Sequence, residues 1–271
     1  MTPVCETCGA WFPDADAPPD ACPICEDDRQ WVPGDGQRWT TPAGVVEGRS
    51  TDLREHEPGL TGIGLKPPFA IGQRMLLVAT DEGNVLWDMI PAVTDEALEA
   101  VRERGSATAI AISHPHYYGA ASAWSHELGD VPLLVHAADA EWVTRPFDAI
   151  ELWEGDTRPL AGGLTLLRLG GHFPGATVLH WPAGAGGRGA LLSGDVVMAV
   201  PDRNVSFMWS YPNLVPLPAS EVERIGAALE PWAFERIYGA WWDRVVPADA
   251  KGAVRRGVER YLRALRGELP L

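Results

Sequence analysis

The chain has 271 residues, 46% of them hydrophobic, enough to bury the core of one large α/β domain plus a small appendage and too many for general disorder. A formal charge of −15, with Asp and Glu spread along the chain, repels phosphate backbones and argues against nucleic-acid partners. No apolar run approaches a membrane span and no Lys/Arg cluster suits an anionic lipid surface; Met1–Cys5 lacks the basic start and apolar stretch of a secretion signal, so a cytoplasmic location is expected.

Residues 1–42 are rich in Pro, Asp, Gly and Cys and read as a metal-organised segment, with a link near Pro42-Ala43-Gly44; residues 43–271 read as the main domain. Thr51 to Pro68, punctuated by glycines and two adjacent prolines, is expected to be irregular coil. Arg74 to Ala79 reads as a buried strand, Asp81 to Asn84 as a turn and Val85 to Trp87 as the returning strand. Thr94 caps a predicted helix to about Arg104, with Asp95 and Glu96 against the helix dipole. A strand over 107–112, a helix over 118–128 and a strand over 132–136 follow. Further strands are expected at 164–169, 176–181, 190–193 and 236–238. A capping box, Ser220-Glu221-Val222-Glu223, opens a helix to about Leu229, and a terminal helix runs from Ala248 to about Arg266. Two strand-rich halves flanked by helices suggest a four-layer αββα sandwich.

All four cysteines lie in the first 25 residues, as two CxxC pairs: Cys5 with Cys8, and Cys22 with Cys25. Paired knuckles of this spacing present four thiolates to a tetrahedral ion, and so polar a segment could hardly fold without one. A structural zinc is expected in a zinc-ribbon-like knuckle. The CxxCG and CPxC turns also resemble rubredoxin knuckles, which keeps iron as the alternative, although rubredoxins space their knuckles much further apart.

Four further segments each end a predicted strand: Ser113-His114-Pro115-His116-Tyr117-Tyr118-Gly119, Gly170-Gly171-His172-Phe173-Pro174-Gly175, Ser193-Gly194-Asp195, and Tyr238-Gly239-Ala240-Trp241-Trp242. Alternate residues of an extended segment point the same way, so His114 and His116 suit a shared metal. In this order the motifs resemble the metallo-β-lactamase superfamily, which includes glyoxalase II-type hydrolases; the resemblance runs from about Ala70 to the C-terminus. It implies the metallo-β-lactamase αββα fold. Position by position it makes His114, His116 and His172 ligands of a first metal and Asp195 the bridging carboxylate. Asp88 matches an aspartate common there and reads as structural.

The departures matter as much. The family's HxHxDH has Tyr118 in its aspartate slot and Gly119 in its last histidine slot, and the histidine expected beyond Gly239 is replaced by Ala240 or Trp241. The private ligands of a second metal are thus missing together, and a mononuclear site is expected. Three imidazoles and a carboxylate suit zinc, with iron as the alternative, and zinc can lower the pKa of bound water to about 7. The resemblance therefore implies hydrolysis of a small ester, thioester, lactone or amide through a metal-bound hydroxide. Tyr118 or Tyr117 would substitute for the missing aspartate in orienting water, beside Asp195. A mononuclear iron oxidoreductase, similar to the superfamily's persulfide dioxygenases, is the runner-up. A non-catalytic metal-binding protein that uses the knuckle as its contact surface is the third reading.

Among 12 tryptophans, Trp209 and Trp241, with Met208 and Tyr211, fall near the expected site loops and suit a lid over a small-molecule substrate. Packing against a second copy, as a homo-oligomer, fits the same aromatics. His56, His126, His136 and His180 read as solvated or hydrogen-bonded rather than as ligands.

Overall fold

A computed structural model of the chain describes residues 1–270, and the chain forms two compact units, Met1–Glu154 and Gly155–Leu271. In the first, β1 (Val4–Cys5), α1 (Pro23–Glu26) and β2 (Trp39–Thr40) frame the cysteines, with β1 and β2 antiparallel. The stretch expected as a link contains a short helix: α2 (Pro42–Val46) starts with Pro42 at its first position, where no N–H is needed, and the Thr41 hydroxyl accepts from the Gly44 N–H.

The stretch expected as coil forms two long strands, β3 (Ser50–Glu57) and β4 (Leu60–Lys66), paired antiparallel around Gly59, whose φ is 86°. Glycines weaken an isolated strand. Here β4 lies between β3 and β5 (Met75–Val78), and Leu60 and Ile63 are fully buried. Pairing on both edges and burial override the local preference.

The unit continues through β6 (Asn84–Trp87), α3 (Asp95–Arg102), β7 (Ala107–Ala111), α4 (Ala121–Glu127), β8 (Leu133–His136) and β9 (Ile150–Trp153). Thr94 caps α3 as expected, its hydroxyl accepting from the Ala97 N–H. The helix expected from Tyr118 starts later, because Pro115–Tyr117 forms a 3₁₀ turn and Gly119 takes a φ of 45° that breaks the path into α4. Strands β3 to β9 lie side by side in chain order, antiparallel up to β6 and parallel from β6 to β9. The parallel set brings the loops after Trp87, Ala111 and His136 out at the carboxyl ends of three neighbouring strands, where α/β sheets bind ligands.

The second unit contains β10 (Thr157–Pro159), β11 (Thr165–Arg168), β12 (Thr177–Trp181), α5 (Gly184–Gly187) and β13 (Ala190–Gly194). Two short ribbons follow, β14 (Met198–Ala199) with β15 (Val205–Ser206) and β16 (Met208–Ser210) with β17 (Val215–Pro216). Then come α6 (Ala219–Leu229), β18 (Arg236–Gly239), β19 (Val245–Val246) and α7 (Ala250–Leu265). The main sheet runs β10-β11-β12-β13-β18-β19, and β13 and β18 are its one parallel pair. Helix α6 begins two residues earlier than the capping box requires. Pro218 stands at its N-cap and no side chain caps it, because Ser220 already lies inside the first turn. Among the described residues no helix is long and apolar enough to cross a membrane.

Candidate metal centres

The four cysteines are buried and converge, their sulfurs all within 4.8 Å of one another. Cys5 Sγ lies 3.6 Å from Cys25 Sγ, and Cys8 Sγ 3.7 Å from Cys22 Sγ. A tetrahedral ion with metal–sulfur bonds of about 2.3 Å sets its ligands roughly 3.8 Å apart, so the cluster has the dimensions of a four-thiolate site. The Gln37 amide donates to Cys5 Sγ at 3.1 Å, as an outer group does for a thiolate. Hydrogen bonds from Cys22, Cys25 and Cys5, reinforced by burial, push the Cys8 thiol well up. Four packed sulfurs share protons poorly, and a cation relieves that conflict. The spacing suits zinc and iron equally.

A second group is formed by His114, His116 and His172, each buried and each offering a ring nitrogen within 4.8 Å of the others. His114 ends the extended run beyond β7, and His116 lies in the 3₁₀ turn after it. The turn is held from two sides. Asp88, at a φ of 55° just beyond β6, accepts the Ser113 N–H at 2.8 Å, and the Ser113 hydroxyl meets His114 Nδ1 at 3.0 Å. The His114 ring packs edge-on against Tyr117 with centroids 4.6 Å apart. In the second unit, His172 Nδ1 lies 2.8 Å from the Trp209 carbonyl, which can only accept. That bond places the proton on Nδ1 and leaves the Nε2 lone pair for a ligand, the outer-group arrangement typical of metal-bound histidine.

The other expected site residues divide. Asp195 belongs to the second unit. It is buried in the turn after β13, its carbonyl accepting from the Tyr211 hydroxyl at 2.7 Å. Burial raises the Tyr211 pKa, as does neighbouring Asp195, so Tyr211 holds the turn as a neutral phenol. Tyr118 donates its hydroxyl to the Asp139 carbonyl at 3.2 Å, and burial, then Asp139, push its pKa well up. That phenol is bound to backbone and is a poor proton acceptor. Tyr117 is fully buried beneath His114. Met208, Trp209 and Trp241 are half-buried, and Trp209 contributes through its carbonyl.

Gly119, where the HxHxDH pattern has its last histidine, leaves no room for a side chain. A Cβ at this position would lie 2.7 Å from the Ile90 carbonyl oxygen, so the backbone sits too close to the segment after β6 for any side chain. Sequence reasoning missed Ser113 as the partner of the His114 ring; a hydroxyl directly before HxH is the signal that could have found it. It also missed the Trp209 carbonyl, which no side-chain pattern announces. His136 and His180 are hydrogen-bonded as expected: His136 Nδ1 accepts the Ala138 N–H, and His180 Nε2 meets the Ala233 carbonyl at 2.7 Å.

No protein-family model matches the sequence. The chain is 45% identical over 269 residues to the uncharacterized protein YmaE of Bacillus subtilis, covering 98% of this chain and 97% of that one. Among solved structures, a metallo-β-lactamase from Pontibacter korlensis superposes with a TM-score of 0.56 at 15% identity, over 78% of this chain and 99% of that one. A Cronobacter sakazakii metallo-β-lactamase with an HARLDQ motif gives 0.51 at 18% identity, over 80% and 93%. At such identities these likenesses establish the fold.

Proposed function

We propose, for a chain that belongs to one family with YmaE of Bacillus subtilis and carries the metallo-β-lactamase fold, that it is a mononuclear metal-dependent hydrolase of a small ester, thioester, lactone or amide. The observation that supports this reading is the group of three buried imidazoles, with His172 oriented through its Nδ1 to leave Nε2 for a metal. A divalent metal held there supplies Lewis acidity, polarising a scissile carbonyl and activating water near neutral pH. His114, His116 and His172 would hold it. Ser113 and the Trp209 carbonyl orient two of the rings, and Tyr211 steadies the turn that carries Asp195. With the Tyr118 phenol committed to backbone, the Asp195 carboxylate is the group we assign to receiving the proton from attacking water. Met208, Trp209 and Trp241 we assign to the wall that admits a small, partly apolar substrate.

The test begins with metal content. Protein purified without added metal should carry one metal on the cysteines and one on the imidazoles. Ester, thioester, lactone and amide libraries should then reveal turnover that His114→Ala and His172→Ala abolish together with the second metal. Turnover that survives both substitutions would refute the reading, as would thiol or persulfide oxidation supported by Fe(II) and oxygen with no hydrolysis.

A further inference from the structure

Between β6 and α3, all four carbonyls of Met89–Ala92 accept hydrogen bonds. The Met89 N–H donates to the Tyr117 carbonyl at 3.0 Å, and the Ala120 N–H donates to the Ile90 carbonyl at 3.1 Å. Met89–Ala92 therefore clasps the backbone of the 3₁₀ turn on both sides of Tyr118 and Gly119, directly after His116. The other carbonyls are held from behind. Gln73 donates to Met89 O at 3.0 Å, Trp124 Nε1 to Ala92 O at 2.9 Å, and Trp11 Nε1 to Pro91 O at 3.0 Å. Proline has no N–H, so this carbonyl is the one hydrogen-bonding group Pro91 possesses.

Trp11 belongs to the cysteine knuckle. The Cys5 N–H donates to the Ala10 carbonyl and the Gly9 N–H to the Cys5 carbonyl, so Cys5–Ala10 is a closed turn and Trp11 pairs across it with Val4. The Trp11 carbonyl is fixed by the Thr144 hydroxyl at 2.9 Å, and the next carbonyl, of Phe12, by Arg145 at 2.6 Å. The knuckle backbone also presses on the same segment: a Cβ at Gly9, where φ is 80°, would lie 2.8 Å from Pro91 Cβ. Only glycine permits so close an approach.

We infer that Trp11 is a positioning residue through which the four-cysteine knuckle sets the metal affinity of the imidazole group. The path is short and unbroken: the cysteine-closed turn, Trp11, the Pro91 carbonyl, Met89–Ala92, and then the turn that carries His114 and His116. Imidazoles bind a metal well only when held within about 0.5 Å of the productive geometry. A knuckle that loses its metal loosens Trp11, and the clasp on the turn loosens with it. The four-thiolate metal thus makes the imidazole site competent, a role beyond folding its own segment. The inference rests on the reading of His114, His116 and His172 as ligands.

The test uses the full chain titrated with cobalt(II) against a competing chelator. Charge-transfer absorption from thiolate reports the knuckle, and visible ligand-field bands without thiolate character report the imidazole group. Trp11→Phe removes the N–H donor and keeps an aromatic ring. It should weaken cobalt at the imidazole group by up to about tenfold, the worth of one buried hydrogen bond, while the thiolate bands and knuckle affinity stay unchanged. Cys22→Ser should weaken it at least as much; should that variant fail to fold, Trp11→Phe decides alone. Ile63→Val, a core change in β4 matched for urea stability, should leave the imidazole affinity as in the wild type. Wild-type affinity in Trp11→Phe overturns the inference and leaves the ligand reading standing. Equal weakening in Ile63→Val also overturns it, since the effect would then be general stability. A wild type without a thiolate-free cobalt site removes the ligand reading and the inference together.

Discussion

Gly119→Ala probes the position where the HxHxDH pattern has its last histidine. The position has a φ of 45°, and a Cβ there would stand 2.7 Å from the Ile90 carbonyl oxygen and 2.9 Å from that of Met89, where ordinary contact starts near 3.4 Å. Two costs add. Placing a side chain in the left-handed region costs about 1–2 kcal/mol. Relieving the clash moves a peptide whose oxygen accepts the Ala120 N–H, and overpacking of this kind costs about 1–3 kcal/mol. Gly129→Ala is the internal control, since its φ is 89° but no atom lies within 4 Å of the added Cβ. It incurs only the first cost. Equilibrium urea unfolding, compared at constant m-value, should find Gly119→Ala less stable than Gly129→Ala by about 2 kcal/mol. A difference within about 0.5 kcal/mol, the range of neutral surface changes, would refute the close approach. With it would fall the argument that geometry excludes a ligand at this position. Gly119→His, for the same reason, should gain no second metal in the imidazole group.

Tyr118→Phe should lower stability by about 1 kcal/mol through loss of the bond to the Asp139 carbonyl, with kcat changed little once a substrate is found; a kcat loss of about a hundredfold would restore the phenol to the chemistry. His172→Ala should remove one metal per chain by elemental analysis while the cysteine-bound metal remains, and loss of both metals would contradict the assignment of His172 to the imidazole group alone. Burial lowers the His56 pKa from 6.5 to about 4, with the Arg74 guanidinium beside it adding to the shift. The folded chain therefore binds fewer protons than the unfolded one between those values, and stability should fall as pH drops from about 6.5 towards 4. His56→Gln should flatten that part of the urea midpoint–pH curve, and an unchanged slope would assign acid sensitivity to other groups.

What was legible in the sequence is what depends on neighbours along the chain. Two CxxC turns present thiolates by local geometry, so the four-sulfur cluster followed from spacing. Thr94 caps α3, and the buried strands β5, β6, β7 and β8 follow from short apolar runs bounded by turn residues. The three converging histidines were legible because strand-end motifs in a fixed order resemble a known family, and nothing in their local chemistry alone groups His172 with His114 and His116. The tertiary structure decided the rest. Glycine-rich β4 is a strand because partners on both edges satisfy its backbone, and Ser220 is no cap because α6 begins at Ala219. Tyr118 turned from a candidate base into a backbone donor because Asp139 O stands within reach of its hydroxyl. Gly119 is required by a carbonyl from another strand's end, and Trp11 reaches Pro91 across 80 residues of chain. β4, Tyr118, Gly119 and Trp11 each depend on a contact distant in sequence, whose partner only the packed chain supplies.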